Sequence, residues 1–258
     1  MFRFFKSRLK DKITNNVSAQ TPSPSGGRLG WGLSTDIHSH ILPGIDDGAK
    51  DIDASLGLIR GMYELGIRKM IATPHIIGDM YRNTPETINA ALAKVKQACV
   101  DEKIEMDISA AAEYMMDDHF MQLLNGKDKL LTLHDNLLLV EIPYTAPPYD
   151  LEEMVFQIIT NGYQPLLAHP ERYFYYHRDM KEYEKLKELG FLLQVNLLSL
   201  TGYYGKGAAK VAGYLIEKGL ADFVGSDLHH ERHLQALSNK KNLEIFGKHL
   251  KNKMFNSL

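Results

Sequence analysis

Seven apolar runs in this chain each end on a polar side chain, and most of those end residues are types that bind metal ions. They close on His38, His75, Glu113, Glu141, His169, Asn196 and Asp227. These markers recur at intervals of about 27 to 38 residues, roughly a strand, a loop, a helix and a return loop. In a parallel barrel the carboxyl ends of all strands converge on one face, so residues far apart in sequence meet there. Imidazoles and carboxylates gathered at one point would repel or stay hydrated unless cations held them together. The pattern predicts a metal site at the mouth of a barrel.

The spacing within single segments sharpens this. His38 and His40 stand two apart on an extended stretch, so both imidazoles can reach one cation. Asp227 and His229 repeat that arrangement, and Asp46-Asp47 adds carboxylates in the first loop, where one can turn back over the mouth. A histidine at a strand end is more often a hydrogen-bonded surface residue. Glu141 is harder to dismiss, because it directly follows Leu137-Leu138-Leu139-Val140, and an unpaired carboxylate entering a core is costly. Asp227, after Phe223-Val224-Gly225, poses the same problem. The candidate ligands His38, His40, Asp47, His75, Glu113, Glu141, His169, Asp227 and His229 exceed the needs of one tetrahedral site. Two or three ions sharing a carboxylate fit better, and mixed nitrogen and oxygen donors suit manganese, iron or zinc. His119, His134, His177 and His249 lack such placement and read as ordinary surface or packing residues.

Two arginines hint at the substrate. Arg172 lies three residues beyond His169 and Arg232 three beyond His229, each close enough to overhang the site. A guanidinium beside a metal cluster is repelled unless an anion lies between them, and its planar fork matches phosphate oxygens. Pairing with Glu171 or Glu231 is the plainer alternative for either one alone. Two in equivalent positions favour a phosphoryl substrate.

Length and composition say what must hold these residues. A chain of 258 residues suits one α/β barrel, and strands alternating with helices imply a mostly parallel sheet. The expected elements include strands at 33–38, 67–72, 106–112, 137–141, 164–169, 191–196 and 221–227. Helices are expected after Asp51 or Asp53, after Thr84-Pro85-Glu86, after Asp117, over 151–160, up to Gly190, over 207–218 and over 235–248. Seven strands rather than eight point to a distorted TIM-like (β/α)7 barrel, a single domain over residues 33–258. Residues 1–32 form an N-terminal extension, basic and aromatic up to Lys12, then a flexible Thr/Pro/Ser/Gly linker. Residues 1–12 could touch a membrane surface weakly, or be a solvated leader. No run reaches the ~18 apolar residues of a spanning helix. A net charge of −2 gives no general attraction to nucleic acid. The one cysteine, Cys99, cannot form an internal disulfide, which fits the cytoplasm, and its place within a helical stretch argues against thiolate catalysis.

The segments Asp36-Ile37-His38-Ser39-His40, Pro43-Gly44-Ile45-Asp46-Asp47-Gly48, Ala72-Thr73-Pro74-His75, Ala112-Glu113-Tyr114, Val140-Glu141-Ile142-Pro143, Ala168-His169-Pro170-Glu171-Arg172-Tyr173, Gln194-Val195-Asn196 and Ser226-Asp227-Leu228-His229 occur in this order. As a set they resemble the bacterial metal-dependent protein-tyrosine phosphatases linked to capsule and exopolysaccharide synthesis, within the polymerase-and-histidinol-phosphatase superfamily. The resemblance covers approximately residues 34 to 250. It implies a distorted seven-stranded barrel with three metal ions, commonly manganese. By analogy His38, His40, Glu113 and Asp227 hold one ion. Glu113 bridges to a second held by Glu141 and His169, while Asp47, His75 and His229 hold the third. Arg172 and Arg232 would contact phosphate, with Asp227 and His229 also at the reaction centre. Glu141, where related amidohydrolases often carry a carbamylated lysine, favours the phosphatase branch.

A hydroxide bridging two cations is a nucleophile at neutral pH, because metals depress the water pKa from 15.7 toward ~7. The residues point to a metal-dependent phosphoesterase, and the resemblance implies hydrolysis of phosphotyrosine on protein, with a bacterial tyrosine autokinase regulating polysaccharide export as partner. A small-molecule phosphatase, such as one acting on histidinol phosphate, is the alternative enzyme. A decayed binding module would have lost ligands, and a nuclease would need a basic stripe that the chain lacks.

Overall fold

The computed structural model describes residues 33–251, 253, 255 and 256; the N-terminal extension expected over 1–32 lies outside the described residues. Nine parallel-paired strands alternate with eight helices among the described residues. The strands are β1 (Thr35–Ser39), β2 (Lys69–Ala72), β3 (His75–Ile76), β4 (Asp107–Ala110), β5 (Glu113–Met115), β6 (Leu137–Glu141), β7 (Gln164–Ala168), β8 (Leu192–Asn196) and β9 (Phe223–Gly225). The helices are α1 (Ile52–Glu64), α2 (Pro85–Asp101), α3 (Asp118–Leu124), α4 (Leu151–Thr160), α5 (Lys181–Leu189), α6 (Lys206–Glu217), α7 (Glu231–Ser238) and α8 (Lys240–Leu250).

The expected tally of seven strands becomes nine because two passages are broken. β2 and β3 are separated by Thr73-Pro74, and their neighbours β4 and β5 by Ala111-Ala112. Pro74 has no N–H to give the ladder, so the sheet is interrupted there. One sheet therefore runs β1-β2-β4 and the other β3-β5-β6-β7-β8-β9. The seam between β1 and β9 closes through Asp227 N to His38 O and His40 N to Leu228 O, both 2.8 Å. The result is an α/β barrel of seven strand passages, distorted as the alternation implied.

Local chemistry sets the helix starts. Asp51 accepts from Ala54 N at 2.9 Å, Thr84 and Thr87 cap each other reciprocally ahead of Pro85, and Asp117 accepts from Phe120 N at 2.8 Å. The last helix, expected over 235–248, is instead two, because Asn239 ends α7 and caps α8 through Lys241 N. Apolar residues at alternate strand positions, among them Ile71, Leu139, Leu166 and Leu192, fill the barrel interior. Their opposites, such as Met70, Val140, Leu167 and Val195, pack against the helices. β6 is buried along its whole length, as a strand covered on both faces should be. A register shift between Asp36 and Ser39 re-aims β1, so that Ile37 joins the interior cluster while the next residue, His38, faces the mouth. Cys99 is buried in α2. Among the described residues no helix is long and apolar enough to cross a membrane.

Candidate metal centre

At the carboxyl ends of the strands four ligand atoms crowd one point. His38 Nε2 lies 3.2 Å from Glu113 Oε2, 3.4 Å from Asp227 Oδ1 and 3.3 Å from His40 Nε2. His40 Nε2 is 3.3 Å from Glu113 Oε2 and 3.4 Å from Asp227 Oδ1. A tetrahedron with such edges has its corners about 2.0 Å from its centre, the length of a bond from nitrogen or carboxylate oxygen to a first-row divalent ion. All four residues are buried.

The backs of both imidazoles are tied down. His38 Nδ1 donates to Gln194 Oε1 at 2.7 Å, and His40 Nδ1 donates to Asp46 Oδ2 at 2.8 Å. With the ring protons held there, both Nε2 lone pairs face the common point, the tautomer a metal ligand needs. Gln194 Nε2 donates on to Asn196 Oδ1, and Asn196 Nδ2 to Asp227 Oδ2 at 2.8 Å, closing a loop of supports around these four ligand-type atoms. Gly225 makes room for it: a Cβ there would lie 2.8 Å from His38 Cβ and 2.9 Å from Gln194 Nε2.

Further ligand groups share these residues. His75 Nε2 and His229 Nε2 each stand 3.5 Å from Asp47 Oδ1, and these three group with His40. His169 Nε2 is 2.9 Å from Glu113 Oε1, so the Glu113 carboxylate spans two positions. Glu141 Oε1 approaches His75 Nδ1 at 3.0 Å, yet both atoms are buried without a hydrogen-bond partner, an arrangement that a cation between ligands resolves. The groups overlap differently from the allotment that the resemblance implied. Glu141 gathers with His75 and Glu113, while His169 gathers with His38 and Asp227. The cluster is suited to one or more divalent ions. His169 and Asp227 both take left-handed backbone conformations, φ 36° and 52°, at the ends of β7 and β9. Such strain, ~1–3 kcal/mol per residue, is typical of sites where geometry is imposed.

Charge tells the same story. Burial disfavours a charged His38, but Glu113 and Asp227 outweigh it and lift its pKa to about 9. Burial likewise opposes ionisation of Glu113, and the surrounding histidines hold it well below the usual carboxylate range. The hydrogen bond with His229 sets Asp47 at about 2. Buried carboxylates that stay ionised attract either protons onto the imidazoles or metal cations.

The cluster opens into a cavity of about 280 Å³ whose walls include Arg172, Tyr144, Tyr204 and His233. Arg172 donates to Asp227 Oδ2 at 2.7 Å, and its guanidinium lies 4.4 Å from the Tyr204 ring centre and 5.1 Å from that of Tyr144. Arg232 is placed otherwise: it is exposed on the first turn of α7 and outside the residues lining the cavity. His233, four residues beyond His229, turns inward instead, with its pKa pushed down to about 4 by burial. Sequence reasoning passed over His230, His233 and Tyr144 as cavity residues, and it named Asp47 as a ligand without assigning Asp46 its contact with His40. The cap-to-third-residue spacing of His230 and His233 at the start of α7 was an available signal.

A parallel barrel whose mouth gathers nitrogen and oxygen ligands from almost every strand is a metal-binding barrel of the polymerase-and-histidinol-phosphatase kind. The chain belongs to the capsular polysaccharide synthesis family CpsB/CapC, whose profile matches residues 34–257. It is 34% identical over 200 residues to the tyrosine-protein phosphatase YwqE of Bacillus subtilis, covering 76% of this chain and 77% of that protein. Identity to the tyrosine-protein phosphatase CpsB of Streptococcus pneumoniae is 28% over 201 residues, covering 76% and 82%. A chain from the crystal structures of YwqE and CpsB, described as unique metal-dependent tyrosine phosphatases, aligns with a TM-score of 0.72 at 30% identity, covering 86% of this chain and 96% of that one.

Proposed function

We propose that this chain is a metal-dependent phosphatase hydrolysing phosphotyrosine on protein. Its physiological substrate would be a tyrosine autokinase that regulates capsule or exopolysaccharide synthesis, met in the cytoplasm. The observation that carries this reading is the four-atom cage of His38, His40, Glu113 and Asp227 with Arg172 bound to the outer oxygen of Asp227. The names of YwqE and CpsB support the choice of phosphotyrosine.

His38, His40, Glu113 and Asp227 would hold one ion, with Glu141, His169, His75, Asp47 and His229 completing one or two more positions. When bound, two or three divalent ions, manganese above all, supply an activated water nucleophile and Lewis-acid polarisation of the phosphoryl oxygens. Arg172 would bind the anionic phosphoryl group and orient it toward the cluster, held ready by Asp227 and by its contacts with the Tyr204 and Tyr144 rings. Gln194 and Asp46 keep the ring protons of His38 and His40 on the side away from the substrate. A tyrosyl leaving group has a pKa near ~10 and departs with modest assistance.

The test is hydrolysis of a phosphotyrosine peptide, a phosphoserine peptide and histidinol phosphate by protein reconstituted with manganese, iron or zinc. Preference for the phosphotyrosine peptide, abolished by chelation, is expected. Preference for histidinol phosphate would overturn the substrate assignment, and activity that survives thorough chelation would overturn the metal chemistry.

A further inference from the structure

Tyr144 enters the cavity from the loop after β6. Its position is fixed from behind by two other tyrosines. Tyr173 OH accepts from Ile142 N at 3.1 Å and donates to Ala168 O at 3.2 Å, while Tyr175 OH donates to Pro143 O at 3.0 Å. The loop is thereby fastened to the segment that carries both His169 and Arg172. The Tyr144 ring lies nearly parallel to that of His169, 18° between planes with centres 5.8 Å apart, and its hydroxyl is 3.4 Å from His169 Nδ1.

The direction of that contact depends on what His169 Nε2 does. Nε2 faces Glu113 within the ligand cluster. Once it gives its lone pair to a cation, the ring proton must sit on Nδ1, and Nδ1 then donates to the Tyr144 oxygen. The hydroxyl keeps its own proton, and among the described residues it has no second partner to receive it. The free O–H is left in the cavity that Arg172 also lines, with the guanidinium over the Tyr144 ring 5.1 Å from its centre.

We propose that Tyr144 is a substrate-contacting residue whose hydroxyl accepts from His169 and donates its hydrogen to an oxygen of the phosphoryl group held by Arg172. The proposal rests on the phosphatase reading above. It assigns Tyr144 a hydrogen bond, not a proton transfer, so the residue shapes phosphate affinity and transition-state charge without setting a limb of the pH profile.

The variant Tyr144→Phe keeps the ring and its stack on His169 and removes only the oxygen. Three quantities are measured on metal-loaded wild type and variant: bound metal by elemental analysis, calorimetric affinity for inorganic phosphate, and kcat/KM with pH profile on a phosphotyrosine peptide. Metal content and the limbs of the profile should be unchanged. Phosphate affinity and kcat/KM should each fall about 10- to 100-fold, the scale of one hydrogen bond to a charged group. A variant within twofold of wild type in both overturns the proposal, as does one that loses its metal, which would make Tyr144 a support of His169. Wild-type protein that neither binds phosphate nor hydrolyses the peptide would overturn the phosphatase reading together with this one. An active wild type beside an unaffected variant sinks the Tyr144 proposal alone.

Discussion

Replacing Asp46 by alanine isolates the support behind the His40 imidazole of the candidate metal centre. Asp46 Oδ2 accepts from His40 Nδ1 at 2.8 Å and from His75 N at 3.2 Å, and Oδ1 accepts from Gly48 N at 3.0 Å. His40 is fully buried, so without that carboxylate its Nδ1–H has no partner, or the proton moves to Nε2 and blocks the ligand lone pair. An unsatisfied buried donor costs about 1–3 kcal/mol. Loss of the group behind a ligating histidine typically lowers metal affinity about 10- to 100-fold, or ~1.4–2.7 kcal/mol. The two estimates agree, so Asp46→Ala should weaken binding of the tightest ion by that factor. Asp46→Asn keeps an oxygen acceptor and should lose less. Competition titration of manganese against a chromophoric chelator reads the difference directly. An Asp46→Ala affinity within twofold of wild type would refute the idea that His40 depends on its second-layer partner.

Arg172→Ala should leave bound metal unchanged, because Asn196 still donates to Asp227 Oδ2, while kcat/KM on phosphotyrosine peptide falls about 10²-fold; elemental analysis beside steady-state kinetics checks both. The metal-free protein should lose stability as pH rises. The folded pKa of His38 is raised from 6.5 to about 9, so its contribution is complete below 6.5 and lost on passing through about 9. Chelated protein should therefore melt lower at pH 10 than at pH 7, and a melting temperature that climbs over this range would contradict the charge assignment. Gly225→Ala should destabilise by about 1–3 kcal/mol through overpacking against His38 and Gln194, lowering the melting temperature and metal content together.

The candidate ligands were legible because burying a carboxylate or imidazole at the end of an apolar run makes sense only with a partner of opposite charge. Glu141 illustrates this: it follows four apolar residues and is buried beside His75. The supporting layer was less visible, because Gln194 carries no charge and nothing in the sequence marks the hydrogen bond between Asp46 and His40. Arg172 and Arg232 show how equal sequence spacing gives different placements when backbone geometry differs. Arg172 sits in a 3-10 turn entered through the left-handed His169. Arg232 sits on the first turn of a helix capped by His230, so the residue that turns inward is the next one, His233. The short strand β3 lies beyond the apolar run that ends at Ala72, and the break at Ala111-Ala112 is hidden because the run over 106–112 continues through it.

The most direct measurement is a count of divalent ions per chain at which a chelated preparation regains phosphotyrosine hydrolysis, made on wild type and on Glu113→Gln. Glu113 touches His38, His40, His75 and His169, so it holds the cluster together. Recovery at two to three ions in wild type, with neither full occupancy nor activity in Glu113→Gln, is expected. Undiminished hydrolysis by a metal-free wild-type protein would contradict it.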